Sequence, residues 1–216
     1  MIALVAACMK KSMKLHYFLT SVVLLMSVFV TVNAQKERSD CSDPQDPMVI
    51  SLVKQAAFSE AKQDVVGAIK LNKKILEIEP KNECALNTIA GLYGVMEDFE
   101  QEIIYAKLAI EANSKFANAY INLGNAQGTR GNLKEAEEAF SKAHELAPKS
   151  PLGVYSLGVL AEQQRKFSEA TGFYQKSIEI DPKFENGYFN LAAMYANLKR
   201  FARSKSHFEK IACSKS

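Results

Sequence analysis

The side chains best suited to chemistry are few and poorly placed for it. The four cysteines, Cys8, Cys41, Cys84 and Cys213, lie far apart, so no C-x-x-C pair offers half a zinc site or a thioredoxin-like redox pair. Beyond residue 34 the histidines are His144 and His207, and neither belongs to an H-E-x-x-H pattern. A G-x-S-x-G nucleophile turn and a phosphate-cradling glycine loop are both missing. Adjacent acids such as Glu137 and Glu138 stand among basic residues, the pattern of a solvated face rather than an acid-base dyad. Catalysis is therefore not expected, and neither is a metal ion or other cofactor.

The elements that would have to position any site come next. The 216 residues are 48% apolar and 24% charged, with no Trp, 6 Pro and 10 Gly, a composition that fits a globular helical chain. Lys10, Lys11 and Lys14 precede an uncharged 18-residue run from Leu15 to Val32, and Val32-Asn33-Ala34 then leads into Gln35. This reads as a secretory signal over residues 1–34, cut after Ala34, with an uncleaved anchor as the alternative. Met9 or Met13 would each begin a tidier signal than Met1. Removing the segment takes 3 of the 27 basic residues and none of the 24 acidic ones. The remainder is then neutral, with no counterion-release drive toward nucleic acid. No transmembrane segment is expected after cleavage, and the periplasm or cell envelope is the expected location.

Export would expose Cys41, Cys84 and Cys213 to an oxidising compartment. An odd count allows at most one intramolecular bridge, with unpaired thiols as the alternative. If a bridge forms, the expected pair is Cys41 and Cys84, because Cys41 lies just ahead of the first helix and Cys84 opens the first helix of the next repeat.

Four tetrapeptides organise the rest: Ile78-Glu79-Pro80-Lys81, Ala112-Asn113-Ser114-Lys115, Leu146-Ala147-Pro148-Lys149 and Ile180-Asp181-Pro182-Lys183, each 34 residues after the last. A fixed period of this length signals stacked helix-turn-helix units. A polar leader and the start of the first helix occupy 35–48, with Asp46-Pro47 as a helix start. The array fills 49–216 as units 49–82, 83–116, 117–150, 151–184 and 185–216. In each unit positions 4, 7, 8 and 11 make one helical stripe, and position 8 is always small: Ala56, Ala90, Gly124, Gly158 and Ala192. Positions 17, 20, 24 and 27 make a second stripe. Glu102 breaks it at position 20, where a carboxylate is expected to reach outward. In the last unit His207 and Ser214 replace apolar residues, as a wettable end requires.

Through Tyr120, Leu123, Gly124, Ala136, Phe140 and Pro148 the third unit resembles the tetratricopeptide repeat. The resemblance covers 49–216 and implies an all-α, right-handed superhelical solenoid of five antiparallel helix pairs. It also implies a concave surface built from first helices, chiefly repeat positions 2, 5, 6, 9, 12 and 13. Those positions hold Asn87, Asn118, Asn122, Asn125, Asn186, Asn190 and Asn197, together with Ile121, Tyr155, Val159 and Phe189. A carboxamide both donates and accepts, so such a row can hold a peptide backbone without reading its side chains. A carboxylate-clamp mode needs inner lysines or arginines in successive repeats, and only Lys54 qualifies.

Two functions follow as expectations. The first is a non-enzymatic protein-protein interaction scaffold that binds a peptide segment or partner domain in this groove. The alternative is a glycan-binding or envelope-assembly accessory protein, using Tyr155 and Phe189 as a stacking platform. Charge is uneven along the array, with 2 basic and 6 acidic residues in the second unit and 6 and 2 in the fifth, a gradient able to orient a charged partner.

Overall fold

A computed structural model describes residues 44–196. The expected signal segment, Cys41, Asn197, His207, Cys213 and Ser214 lie outside these residues. Among the described residues there are helices and no strand: α1 (Pro47–Ala61), α2 (Val65–Ile78), α3 (Glu83–Val95), α4 (Phe99–Ala112), α5 (Ala117–Thr129), α6 (Leu133–Leu146), α7 (Leu152–Gln163), α8 (Phe167–Ile180) and α9, described over 185–196. The chain divides into two compact units, Met1–Leu71 and Asn72–Ser216.

In the first unit Asp46 caps α1 through a 2.7 Å bond from Met48 N to its carboxylate, with Pro47 at the first helical position. Val49, Leu52 and Ala56 are buried. Gln55 faces solvent and its side chain bonds Ser51 on its own helix.

In the second unit consecutive helices from α3 to α8 pack on one another, and the first helices of successive repeats, α3 with α5 and α5 with α7, also touch. Helices α2, α4, α6 and α8 end at Ile78, Ala112, Leu146 and Ile180, the four marks of the 34-residue ruler. The two helices of a repeat meet where position 8 of one faces position 24 of the other. A Cβ on Gly124 would collide with the Phe140 ring, and one on Gly158 would lie 2.7 Å from the Tyr174 ring. Where position 24 is Ala106, position 8 is Ala90, and both are fully buried. Ring over glycine and a pair of buried alanines thus occupy the same two positions. The core continues between repeats. Ile121, Phe140 and Ala143 pack with Leu160 of the next unit, and Ala161, Ala170 and Tyr174 pack with Met194.

One expectation is overturned. Glu102 is only 4% exposed, so its carboxylate does not reach outward. It fits inside because its neighbour across the helix pair, Gly94, has no side chain.

The turn inside each repeat is built the same way four times. Gln63, Glu97, Gly131 and Arg165, all at position 15, have φ near +60° or above. Each N–H at position 16 reaches back to the carbonyl five residues earlier: Asp64 to Ser59, Asp98 to Tyr93, Asn132 to Gln127 and Lys166 to Ala161. These 6→1 bonds, with the position 15 N–H bonded three residues back, are the Schellman closure, which satisfies carbonyls left open at the helix end. Position 16 then opens the second helix. Asp64 and Asp98 cap it through Gly67 N at 2.9 Å and Gln101 N at 3.2 Å, whereas Asn132 and Lys166 make no capping bond.

A left-handed conformation costs an L-residue about 1–2 kcal/mol, and glycine avoids it while losing more chain entropy on folding. Urea unfolding is therefore expected to show Gly131→Ala destabilised by about 1 kcal/mol, with Glu97→Gly and Arg165→Gly neutral to stabilised by up to about 1 kcal/mol. A gain on Gly131→Ala would contradict the turn assignment.

Candidate functional site

The face shared by α3, α5, α7 and α9 carries the residues singled out from the sequence. Their surroundings divide them into two groups. In the first group Asn122 donates its Nδ2 to Asn87 Oδ1 at 2.9 Å and to the Asn87 carbonyl at 3.2 Å. Asn190 donates its Nδ2 to Tyr155 Oη at 2.9 Å. Both links join position 6 of one repeat to position 5 of the repeat before it, 35 residues away. Asn87 is itself buried. The carboxamides thus clasp neighbouring repeats, and the Asn122 nitrogen reaches two oxygens of Asn87 in doing so.

Ile121 and Ser156 hold the same two positions at the junction between these clasps, and both are buried. Ile121 belongs to the hydrophobic core, so it drops out of the expected groove lining. Asn118 is likewise buried and engaged within the protein. The Tyr155 ring is half-buried, 5.7 Å from Tyr174 and edge-on to Phe184 at 5.1 Å. The ring is thus partly covered by these neighbours and the Tyr155 hydroxyl is bonded to Asn190, which leaves less of the side chain open for the expected stacking platform with Phe189. Burial raises the Tyr155 pKa above the usual tyrosine value, so the hydroxyl stays protonated at neutral pH.

The second group is accessible. Asn125 is exposed, Phe189 is 60% exposed, and Asn186 and Val159 are half-buried, Val159 with one side on the core. Across the concave positions of the four units from 83 to 216, Glu162 is the only charged residue in the sequence. Its carboxylate accepts the Tyr174 hydroxyl at 2.7 Å. The surface is thus one of carboxamide, hydroxyl and apolar groups with a single carboxylate, suited to hydrogen bonding and contact. No cluster of three or more His, Cys, Asp and Glu fit to hold a metal occurs among the described residues.

Two features escaped the sequence. The clasps were detectable as polar residues coinciding at positions 5 and 6 of adjacent units, Asn87 with Asn122 and Tyr155 with Asn190. The other is an aromatic ledge. Tyr93 and Tyr105 stack at 5.6 Å and 23°, and Lys73 Nζ donates to Tyr93 Oη at 3.3 Å while lying 5.8 and 5.9 Å from the two ring centres. Only the recurrence of tyrosine at positions 11 and 23 of one unit signalled it. Cys84 is disulfide-bonded. Its expected partner, Cys41, is outside the described residues.

Tetratricopeptide-repeat models match residues 117–150, 154–184 and 173–205. A small glutamine-rich tetratricopeptide repeat-containing protein 2 of Mycosarcoma maydis is 29% identical over 101 residues, 47% of this chain but only 29% of that protein's length. Among solved structures, a thermophilic TPR protein of Thermus thermophilus superposes with a TM-score of 0.64 at 18% identity, covering 82% of this chain and 95% of the other. PilF of Pseudomonas aeruginosa gives 0.62 at 16%, covering 75% and 74%, and MamA of Desulfovibrio magneticus gives 0.59 at 14%, covering 78% and 95%. The chain carries tetratricopeptide repeats, and its fold is the all-α superhelix they build.

Removing one partner of a clasp leaves a buried polar group unpaired, at a cost of about 1–3 kcal/mol. Asn122→Ala is expected to destabilise by that amount in urea unfolding, and adding Asn87→Ala should cost less than the sum of the single losses. Strict additivity would show that the two carboxamides do not couple.

Proposed function

We propose that this tetratricopeptide-repeat chain is a non-enzymatic scaffold that holds an extended segment of a partner protein across the first-helix face. The observation that carries this reading is the accessibility of Asn125, Val159, Asn186 and Phe189, which stand on the same first helices as the part-buried clasps and are not consumed by them. Neutral hydrogen bonds contribute about 1 kcal/mol each, so a micromolar complex, which requires roughly 8 kcal/mol, also needs the apolar contacts of Val159 and Phe189. Tyr155 is half-buried and tied to Asn190 and Phe184, whereas Phe189 is 60% exposed, which favours a peptide over a sugar stacked between two aromatics.

The place of action belongs to the same proposal. The basic cluster, apolar run and Val32-Asn33-Ala34 support export to the periplasm or cell envelope. No helix among the described residues is long and apolar enough to cross a membrane.

Asn125→Ala with Phe189→Ala is the direct test, because both side chains point to solvent and such changes usually alter stability by less than about 0.5 kcal/mol. Crosslinking in an envelope fraction is expected to lose the parent protein's protein adducts while the melting temperature stays put. An unchanged set of adducts would remove these residues from the binding surface, and retention of glycan alone would favour the accessory role. Peptide mapping of the exported protein without reductant should find Gln35 at the N-terminus and Cys84 joined to Cys41. An N-terminus inside residues 1–34, or Cys84 joined elsewhere, would contradict those two assignments.

A further inference from the structure

Position 20 is Ala68, Ala136 and Ala170 in three units, each fully buried, and Glu102 in the second. Position 12 changes with it. Glu60 and Glu162 stand at position 12 of the first and fourth units, opposite alanine at position 20 of the same unit, whereas Gly94 stands opposite Glu102. In the second unit the carboxylate stands instead at position 20, inside the helix pair, and the glycine opposite leaves room for it. A Cβ on Gly94 would lie 2.9 Å from the carboxyl carbon and from both oxygens. Where Glu162 bonds a tyrosine hydroxyl, the carboxyl group of Glu102 has no hydrogen bond or ion pair among the described residues.

The surrounding elements supply no counter-charge. The titratable or charged groups on α3 and the following turn are Glu83, Tyr93, Glu97 and Asp98, and those on α5 and its cap are Tyr120 and Arg130. Arg130 lies 3.9 Å from Glu100, not from Glu102. Lys73, the cation that reaches this helix pair from the preceding element, is held at the Tyr93 hydroxyl. On α4 itself the others are Glu100, Tyr105, Lys107 and Glu111. An ionised carboxylate without a partner is poorly tolerated in such a position, whereas a neutral carboxyl packs there as a small flat group.

We propose that Glu102 makes the α3–α4 pair a proton-sensitive latch, packed tightly beneath Gly94 when the carboxyl is neutral and loosened when it ionises. Burial alone raises its pKa to about 7 from an ordinary 4.5. The closed pair holds the proton more tightly than the open chain. Its advantage is thus complete below about pH 4.5 and is lost as the pH rises toward 7. Export into a compartment whose pH follows the surroundings would place this transition where it is felt.

Amide hydrogen exchange of the full chain, read by mass spectrometry at pH 5.5 and 7.5 and corrected for intrinsic chemical exchange, tests the latch. Opening of 83–112 is expected to rise roughly ten- to twentyfold between the two pH values, beyond any change in 117–180. Glu102→Gln keeps the shape and should abolish the rise. Glu102→Ala provides a second variant that should also be pH-independent, because it recreates the Gly128 and Ala136 pairing, where a Cβ on the glycine would be a comfortable 3.6 Å away. Equal opening of the parent at both pH values, or the parent's pH dependence persisting in either variant, would overturn the proposal.

Discussion

The crossing between the two helices of each repeat is the constraint on which the rest depends. Neither helix buries its apolar face alone, and the pair closes only if the side chains at positions 8 and 24 fit together. Gly124 with Phe140, Gly158 with Tyr174 and Ala90 with Ala106 are solutions of different size to that one problem. Once the pair closes, the position 15 turn brings the chain back in a fixed register. The first helices of successive units then come into contact along one face.

That register decides which groove residues remain available. Where the polar residues of neighbouring units fall at positions 5 and 6, they find each other, as Asn122 finds Asn87 and Asn190 finds Tyr155. A carboxamide shielded between repeats gains more from a neighbouring oxygen than from an intermittent ligand, since leaving that oxygen unpaired would cost more than the bond itself contributes. Binding is left to side chains one turn further along, such as Asn125, and to Phe189, which is 60% exposed. The groove thus separates a structural lining from a recognition strip, and the same residue type serves in both.

The period, the helix ends and the small residue at position 8 were legible in the sequence because each recurs at a fixed interval and reflects a local steric demand. The left-handed turns were less so. Only Gly131 carries the residue type that announces such a backbone, and Gln63, Glu97 and Arg165 adopt it under tertiary constraint. Asn122 and Asn125 look equivalent in a list of concave positions, and only the neighbouring unit's residue at position 5 distinguishes them. Glu102 was misjudged for a related reason. Its burial depends on Gly94, eight residues earlier across a turn, and a stripe read along a single helix cannot include that partner.

The division of the groove can be tested without a ligand by measuring side-chain carboxamide protons in solution. Hydrogen exchange of the Asn122 and Asn190 Nδ2 protons is expected to be markedly slower than that of Asn125, whose side chain is exposed. If all three exchange at the same rate, the carboxamides do not clasp the repeats, and the separation of lining from recognition strip is wrong.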